Sequence, residues 1–469
     1  MYFKAIAFIM GQNLWIILSK GSGGMKIFDL TCNNFRKYEN AKFRFHPSFN
    51  VLIGDNGAGK TTVLDAVSIM LGTYLQGSRI KTGRGGIVKD DIRYKINRTG
   101  GQVFREPQGD ASIVCSGKLN GDKILWQRDY GDRGGKAKDL VEIGARHRKM
   151  VANGDSPDLP LLLYYGPGRL WDIHRNIKIE GPDSQLDAYR FCLDPKSDQK
   201  AFEKWFKKLS ISALRKNGDS QALANVEMAV KACIPDSTDF FFDIDEDQIM
   251  LESEKTGLIP VNYLGDGFRN IIAMTADIAH RASRLNPQYE IKAAQKTSGI
   301  VLIDEIDMHL HPKWQRRVVG DLKQAFPNIQ FIATTHSPFI IQSLNPGEVI
   351  DLNQEASPEK IESYPPDIAA PGPGCSFANR SIEDIVEEIM GIEKPQRSKR
   401  YQDMYNAALE YYKVLEQGKD VDKKTKARLK EKLDILSAPF SENVAYHAFL
   451  EMKRTAAGMA DASIEDGGQ

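Results

Sequence analysis

Nine consecutive residues, Gly54-Asp55-Asn56-Gly57-Ala58-Gly59-Lys60-Thr61-Thr62, carry the strongest chemical signal in the chain. Positions 54–61 fit GxxxxGK[ST], a pattern that binds nucleotide phosphates. Its glycines let backbone N–H groups approach phosphate oxygens, and the positive end of a following helix reinforces them. Lys60 would reach the β- and γ-phosphates, and the Thr61 hydroxyl would ligate Mg²⁺. A second signal is Ile300-Val301-Leu302-Ile303-Asp304-Glu305, an apolar run ending in two carboxylates. Asp304 there would help hold the metal and Glu305 would polarise the attacking water as general base. Asp-Glu after a strand is also an ordinary helix N-cap pair, but the catalytic reading is favoured even alone, and more strongly beside the phosphate loop. Third, Phe331-Ile332-Ala333-Thr334-Thr335-His336 puts a histidine at the tip of another apolar run, where it could donate to a γ-phosphate. A lone histidine is usually structural, but this one follows the acidic pair by one strand. Fourth, Leu264-Gly265-Asp266-Gly267, after Tyr263 and before Phe268-Arg269, is a small-residue turn opening a helix. It reads either as a second anion site or as a simple capped turn.

These residues need a scaffold that brings distant segments together. Strands are expected at Lys26–Cys32, Ala41–Phe45 and Asn50–Ile53, with a helix from Lys60 to about Leu71. Gln76–Lys149 is rich in Gly, Lys and Arg, with short alternating runs that predict hairpins on a small antiparallel sheet. Leu159–Tyr165 is continuously apolar between Pro and Gly, the mark of a strand buried on both faces. Phe202, Trp205, Phe206 and Leu209 recur at helical spacing, then 240–244 and 248–252 predict a hairpin. A helix from Phe268 to Ser283, a strand at Gly299–Ile303, a helix from Lys313 to Ala325 and a strand at Gln330–Thr334 follow. Residues 353–376 read as a loop, and the last hundred residues as charged helix with a fraying tail at 455–469.

The chain has 469 residues, 41% hydrophobic and 27% charged, which excludes wholesale disorder and fibrous repeats. A net charge of +1 creates no global field for nucleic acid. A local basic stretch, Arg79–Arg84 with Lys89, Arg93, Lys95 and Arg98, could contact phosphate or simply be solvated. Five scattered cysteines with no CxxC pair argue against a disulfide framework and for a reducing cytoplasm. The apolar run Tyr2–Leu18 is broken by Gly11, Gln12 and Asn13, so residues 1–24 read as an upstream extension with a misassigned start, the competing reading being a targeting segment. No membrane association is expected.

In their order, phosphate loop, turn before a helix, Asp-Glu strand and strand-His, these motifs resemble the ATP-binding-cassette type heads of the SMC, RecF and OLD ATPases. The resemblance covers roughly Met25 to Leu352. It implies an α/β ABC-ATPase (RecF/SMC-head-like) P-loop fold with a small antiparallel β subdomain, a helical lobe insertion and a C-terminal helical region. It implies ATP and Mg²⁺ as cofactors, and a head-to-head dimer in which each phosphate loop faces the other copy's Leu264–Gly267 signature. Tyr164-Tyr165-Gly166-Pro167-Gly168-Arg169-Leu170-Trp171 and Asp304-Glu305-Ile306-Asp307-Met308-His309-Leu310-His311-Pro312 look like the PtuA-type ATPases of the Septu anti-phage system. That branch implies a separate HNH nuclease partner, PtuB-like, a higher oligomer, and nucleic acid met through the complex. Asn34-Phe35-Arg36 matches an early element of RecF-like heads, which implies that Arg36 approaches the phosphates.

Departures qualify this. Gly265 stands where the signature has Ser, and Phe268 where it has Gln, so one hydroxyl contact is missing and slow hydrolysis is expected. No single glutamine among Gln76, Gln102 and Gln108 stands out as a metal-coordinating one. His309 and His311 lack HNH spacing, which places the nuclease in another chain. Two alternatives stay open: a RecF-like repair ATPase and a nucleotide-sensing scaffold with negligible hydrolysis. The expected organisation is 1–24 extension, 25–185 N-lobe with the phosphate loop and β subdomain, 186–257 helical lobe, 258–352 C-lobe with signature, acidic pair and His336, 353–380 linker, and 381–469 helical region for packing or partner docking.

Overall fold

The computed structural model describes residues 24–80, 85–99, 101–131, 135–168, 184–195, 199–215, 220–234, 236–353, 377, 380–391, 399–417, 423–440 and 444–457. The N-terminal extension, Arg169–Trp171, Lys81–Arg84, Cys375, nearly all of the 353–376 loop and the tail from 458 lie outside them.

Five apolar segments build the central sheet. β3 (Phe49–Ile53), β8 (Leu161–Tyr165), β12 (Gly299–Ile303), β13 (Ile329–Thr334) and β14 (Val349–Asp351) pair in the order β14-β3-β13-β12-β8, and every rung is parallel. β3, β8, β12 and β13 are buried at every position, as mostly apolar strands are when both sheet faces are covered, with Asn50, Gln330 and Thr334 as buried polar exceptions. α1 (Lys60–Gly77) covers one face and is itself buried along most of its length. A second, antiparallel sheet runs β2-β1-β6-β7, from β1 (Lys26–Phe35), β2 (Tyr38–Arg44), β6 (Ser112–Leu119) and β7 (Asp122–Asp129). Gln330, buried on β13, sews the two sheets together: its Oε1 accepts from Ile27 N and its Nε2 donates to Ile27 O, both at 2.8 Å. The hairpin of β4 (Tyr94–Thr99) and β5 (Gln102–Pro107) stands apart as a two-stranded ribbon.

Between Lys138 and Ala152 the structure forms α2, where hairpins are expected from composition. Its buried seam is only Leu140, Gly144 and His147, so the apolar period that announces a helix is carried by a glycine and a histidine. Those two residues suit their neighbour. A Cβ on Gly144 would lie 2.1 Å from Tyr74 O on α1, and the Tyr74 hydroxyl pairs with His147 Nδ1 at 2.8 Å. The following segment contains α3 (Gln199–Arg215) and α4 (Gln221–Cys233), then a three-stranded antiparallel sheet of β9 (Ser237–Asp243), β10 (Gln248–Ser253) and β11 (Gly257–Pro260). The edge strand β11 is four residues long and has no alternation to betray it.

α5 (Asp266–Leu285) is longer than its apolar periodicity alone indicates. The helix expected from Lys313 to Ala325 is two pieces, Pro312–Gln315 and α6 (Val318–Ala325). Four cysteines, Cys32, Cys115, Cys192 and Cys233, are buried and unpaired by disulfide. Among the described residues no helix is long and apolar enough to cross a membrane.

Residues 386–469 form a separate compact unit. In it α7 (Lys399–Gln417), α8 (Lys423–Ser437) and α9 (Val444–Ala456) pack around Tyr411, Val414, Leu415, Leu433 and Leu450. Along α7, Tyr412 and Leu415 join this core, while Tyr401, Tyr405 and Leu409 are exposed.

Candidate active site

Three neighbouring strands of the parallel sheet, β3, β13 and β12, each end in one of the chemical motifs. Their carboxyl edge is where ligands of such sheets bind. The phosphate loop leaves β3 and turns into α1 through Gly59, the N-cap, whose φ of +100° favours glycine. Space demands glycine as well, since a Cβ there would meet Tyr38 Oη at 2.4 Å and Lys37 Cδ at 2.8 Å. Lys60 Nζ folds back on the loop and donates to Gly54 O (2.6 Å) and Asp55 O (3.1 Å). Burial lowers its pKa, against the raising influence of Asp304, Asp55, Glu305 and Asp307. Asn353 Oδ1 accepts from Asp55 N at 2.9 Å and so braces the loop's entry.

The acidic pair follows β12. Asp304 is buried and takes a hydroxyl from each neighbour: Thr61 Oγ1 donates to its Oδ2 at 2.9 Å and Thr334 Oγ1 to its Oδ1 at 2.6 Å. Thr334 also accepts from Glu305 N at 2.7 Å. One threonine on β13 thereby sets the carboxylate of Asp304 and the backbone of Glu305 together. Glu305 sits at φ +52°, an uncommon conformation for a residue with a Cβ, and its side chain is exposed. His336, just past β13, is exposed as well.

These groups line one open cavity of about 340 Å³, with Asn56, Gly57, Gly59, Lys60, Thr61 and Thr62 from the loop, Asp304 and Glu305 after β12, His336 after β13, and Arg36 and Lys37 from the β1–β2 turn. Ala58 lies within the same loop. Leu264, Gly265, Asp266 and Gly267 are not in the wall of this cavity. Their turn caps α5, with Gly265 exposed at the N-cap and Gly267 pressed on the segment after the acidic pair, where a Cβ would meet His309 O at 2.4 Å. None of the three candidate glutamines lines the cavity either. Gln76 bonds Gly85 O and Arg128, and Gln102 and Gln108 lie on or beside the β4–β5 ribbon. His311 caps the helix that begins at Pro312.

Arg36 reaches the cavity wall, but its guanidinium is committed. It contacts Asp65 at 2.7 Å and Asp91 at 2.9 Å, two carboxylates that raise its pKa against the lowering effect of burial. Sequence reading missed two contributors here: Thr334, hidden inside an apolar strand, and Lys37, adjacent to the more conspicuous arginine.

The cavity suits a nucleotide triphosphate with a hard cation. The glycine-rich loop and Lys60 could meet anionic oxygens, while the Thr61 hydroxyl and Asp304 carboxylate are the oxygen donors a hard divalent cation takes.

Comparison with known proteins agrees. An AAA domain family matches residues 29–230, and a second, described as AAA domain, putative AbiEii toxin, Type IV TA system, matches residues 154–342. The chain is 26% identical over 387 residues to the Retron Vc95 probable ATPase of Vibrio cholerae serotype O1 biovar El Tor, covering 70% of this chain and 74% of that one. It is 25% identical over 380 residues to the Septu protein PtuA of Bacillus thuringiensis, covering 80% of this chain and 86% of that one. The chain carries an ATPase head, similar in sequence to Septu PtuA. The SMC head domain of Thermotoga maritima superposes with a TM-score of 0.40 at 15% identity, over 70% of this chain and 94% of that one; the fold of the ATPase head stands instead on its strand order and phosphate loop.

Proposed function

We propose that the head binds Mg-ATP between the phosphate loop of one copy and the Leu264–Gly267 turn of a second, and that nucleotide state regulates a separate HNH nuclease in antiviral defence. The observation that carries this reading is a division of labour. Lys60, Thr61, Asp304, Glu305 and His336 meet at one cavity, whereas the Leu264–Gly267 turn stands outside its wall and faces solvent at Gly265. A helix N-terminus opened by glycines is a ready anion site, and a second copy would bring it to the phosphates.

Within the cavity the loop amides and Lys60 hold the phosphates. Glu305 accepts a proton from the attacking water through its carboxylate, a contribution of roughly 10²–10⁴ in rate. His336 donates to the terminal phosphate and registers its loss. Thr61 and Asp304 would hold Mg²⁺, which supplies neutralisation of phosphate charge. Similarity to Septu PtuA supports the defence reading; the nuclease in a neighbouring chain is the further step that the PtuA-type resemblance implies. A second reading, a scaffold that senses nucleotide with negligible turnover, is favoured by Gly265, which offers no hydroxyl to a partner's phosphate.

The test uses full-length protein and its neighbouring gene product in cells challenged with phage. Lys60→Ala is expected to lose ATP binding and to abolish plaque reduction, while Glu305→Gln keeps binding and loses turnover. Undiminished protection by Lys60→Ala would remove ATP from the defence. Wild-type turnover near zero alongside tight ATP binding would select the scaffold.

A further inference from the structure

We propose that Lys37, and not Arg36, is the cation through which the β1–β2 turn serves the nucleotide, by holding the phosphate loop's peptide groups in their anion-binding orientation. The inference rests on the nucleotide reading of the cavity.

Arg36 and Lys37 both reach the cavity wall, but their charges are disposed differently. Arg36 is flanked by Asp65 and Asp91, of which Asp91 is 1% exposed, and Tyr164 Oη donates to Asp65 at 3.3 Å. Its backbone N–H also donates to Asp91 O at 2.7 Å. Two carboxylates more than offset one guanidinium, so this cluster presents no surplus positive charge to a phosphate. Arg36 fastens the turn to α1 and to the segment before β4.

Among the described residues Lys37 has no carboxylate partner. Its Nζ donates to Ala58 O at 2.6 Å and to Gly57 O at 3.2 Å, two carbonyls of the phosphate loop. A trans peptide sets its N–H opposite its C=O. Drawing the Ala58 carbonyl toward Lys37 therefore turns the Gly59 N–H the other way, and Gly59 itself lines the cavity. Tyr38 Oη reinforces the same strut, donating to Ala58 O at 3.2 Å and lying 3.4 Å from Gly59 O. The close fit that forbids a Cβ on Gly59 is made by these same two side chains. A cation bonded to the Ala58 carbonyl also withdraws electron density from that peptide unit, which strengthens the Gly59 N–H as a donor, whereas the Ala58 N–H is already given to Asp55 O at 3.0 Å. Lys37 is thus a positioning residue: it acts on the nucleotide through the loop.

Because the strut orients the amides that any nucleotide phosphate would use, it affects ATP and ADP alike. The experiment measures Mg-ATP and Mg-ADP binding to the full chain by calorimetry, with turnover, for wild type, Lys37→Met, Lys37→Arg, Arg36→Met and Lys60→Ala. Lys37→Met is expected to weaken both nucleotides about tenfold, raising KM with kcat little changed and the nucleotide-free melting temperature unmoved. Lys37→Arg restores affinity. Arg36→Met instead lowers the melting temperature, because Asp91 loses a buried partner. Unchanged affinity of Lys37→Met for both nucleotides would overturn the proposal, as would a loss confined to ATP, which would mean direct contact with the terminal phosphate. Lys37→Gln, which keeps a donor without charge, substitutes if the Met variant folds poorly, with the same two outcomes overturning the idea. Wild type that binds neither nucleotide, or Lys60→Ala that binds as well as wild type, marks failure of the nucleotide reading itself.

Discussion

Asp304 receives two hydroxyls from two different segments, Thr61 at the start of α1 and Thr334 at the end of β13. Only the first was legible in the sequence, because GxxxxGK[ST] names it and nothing names a threonine inside an apolar strand. Yet Thr334 carries two obligations, the Asp304 carboxylate and the Glu305 N–H. Thr334→Val keeps the shape of the strand and removes both partners. Leaving a buried donor or acceptor unpaired costs about 1–3 kcal/mol, and an error of position in a general base costs rate. Turnover of Thr334→Val should fall at least about tenfold with ATP affinity little altered, and Thr334→Ser should recover most of it; steady-state kinetics alongside equilibrium binding decide the matter. Full activity in the Val variant would mean that Glu305 is placed by its own strained backbone instead.

At the scale of elements, the strands that end at the site were legible as uninterrupted apolar runs, and the order of motifs predicted that their ends would meet. What escaped were elements whose apolar signature is weak or too short to read: α2, whose seam is partly glycine and histidine, the short edge strand β11, and the three-residue β14. The link between the parallel sheet and the neighbouring lobe was equally silent. Tyr165 Oη on β8 donates to Asp277 of α5 at 2.8 Å; Arg281 contacts Asp277 at 2.9 Å and donates to Ala188 O at 2.6 Å. Beside them His280 stacks on Trp205 at 4.0 Å with neither ring nitrogen hydrogen-bonded, its Nδ1 3.8 Å from Asp277. Burial pushes the His280 pKa down to about 4. Asp277 lies at about 2, held down by Arg281 first and His280 next despite its burial. Both folded values lie below the unfolded ones, so the unfolded chain binds more protons as pH falls. Stability contributed by neutral His280 is lost between about pH 6.5 and 4, on the order of 3 kcal/mol in all, and that of ionised Asp277 between about 4 and 2. Urea midpoints should therefore drop from pH 7 to pH 5, and His280→Phe, which preserves the stack, should flatten that drop. An equal drop in the variant would place the acid sensitivity elsewhere.

For the whole molecule, one copy is an incomplete ATPase on the reading proposed here. Its cavity is lined by the phosphate loop, the acidic pair and His336, and the turn that would complete it lies outside that lining. The sequence could indicate this, through the distance between the motifs and their order, but not the partner surface, which depends on shape. The C-terminal unit has its own core, and its exposed stripe of Tyr401, Tyr405 and Leu409 has no signature by which a sequence declares its occupant. The decisive measurement is sedimentation of full-length Glu305→Gln, slow to hydrolyse by design, with and without Mg-ATP. The account predicts a doubling of mass, or of the basal oligomer, that needs ATP and disappears when Gly267 is replaced by Asp, which crowds His309 O and adds negative charge where a partner's phosphate would sit. An ATP-bound protein whose mass is the same as without nucleotide would contradict it.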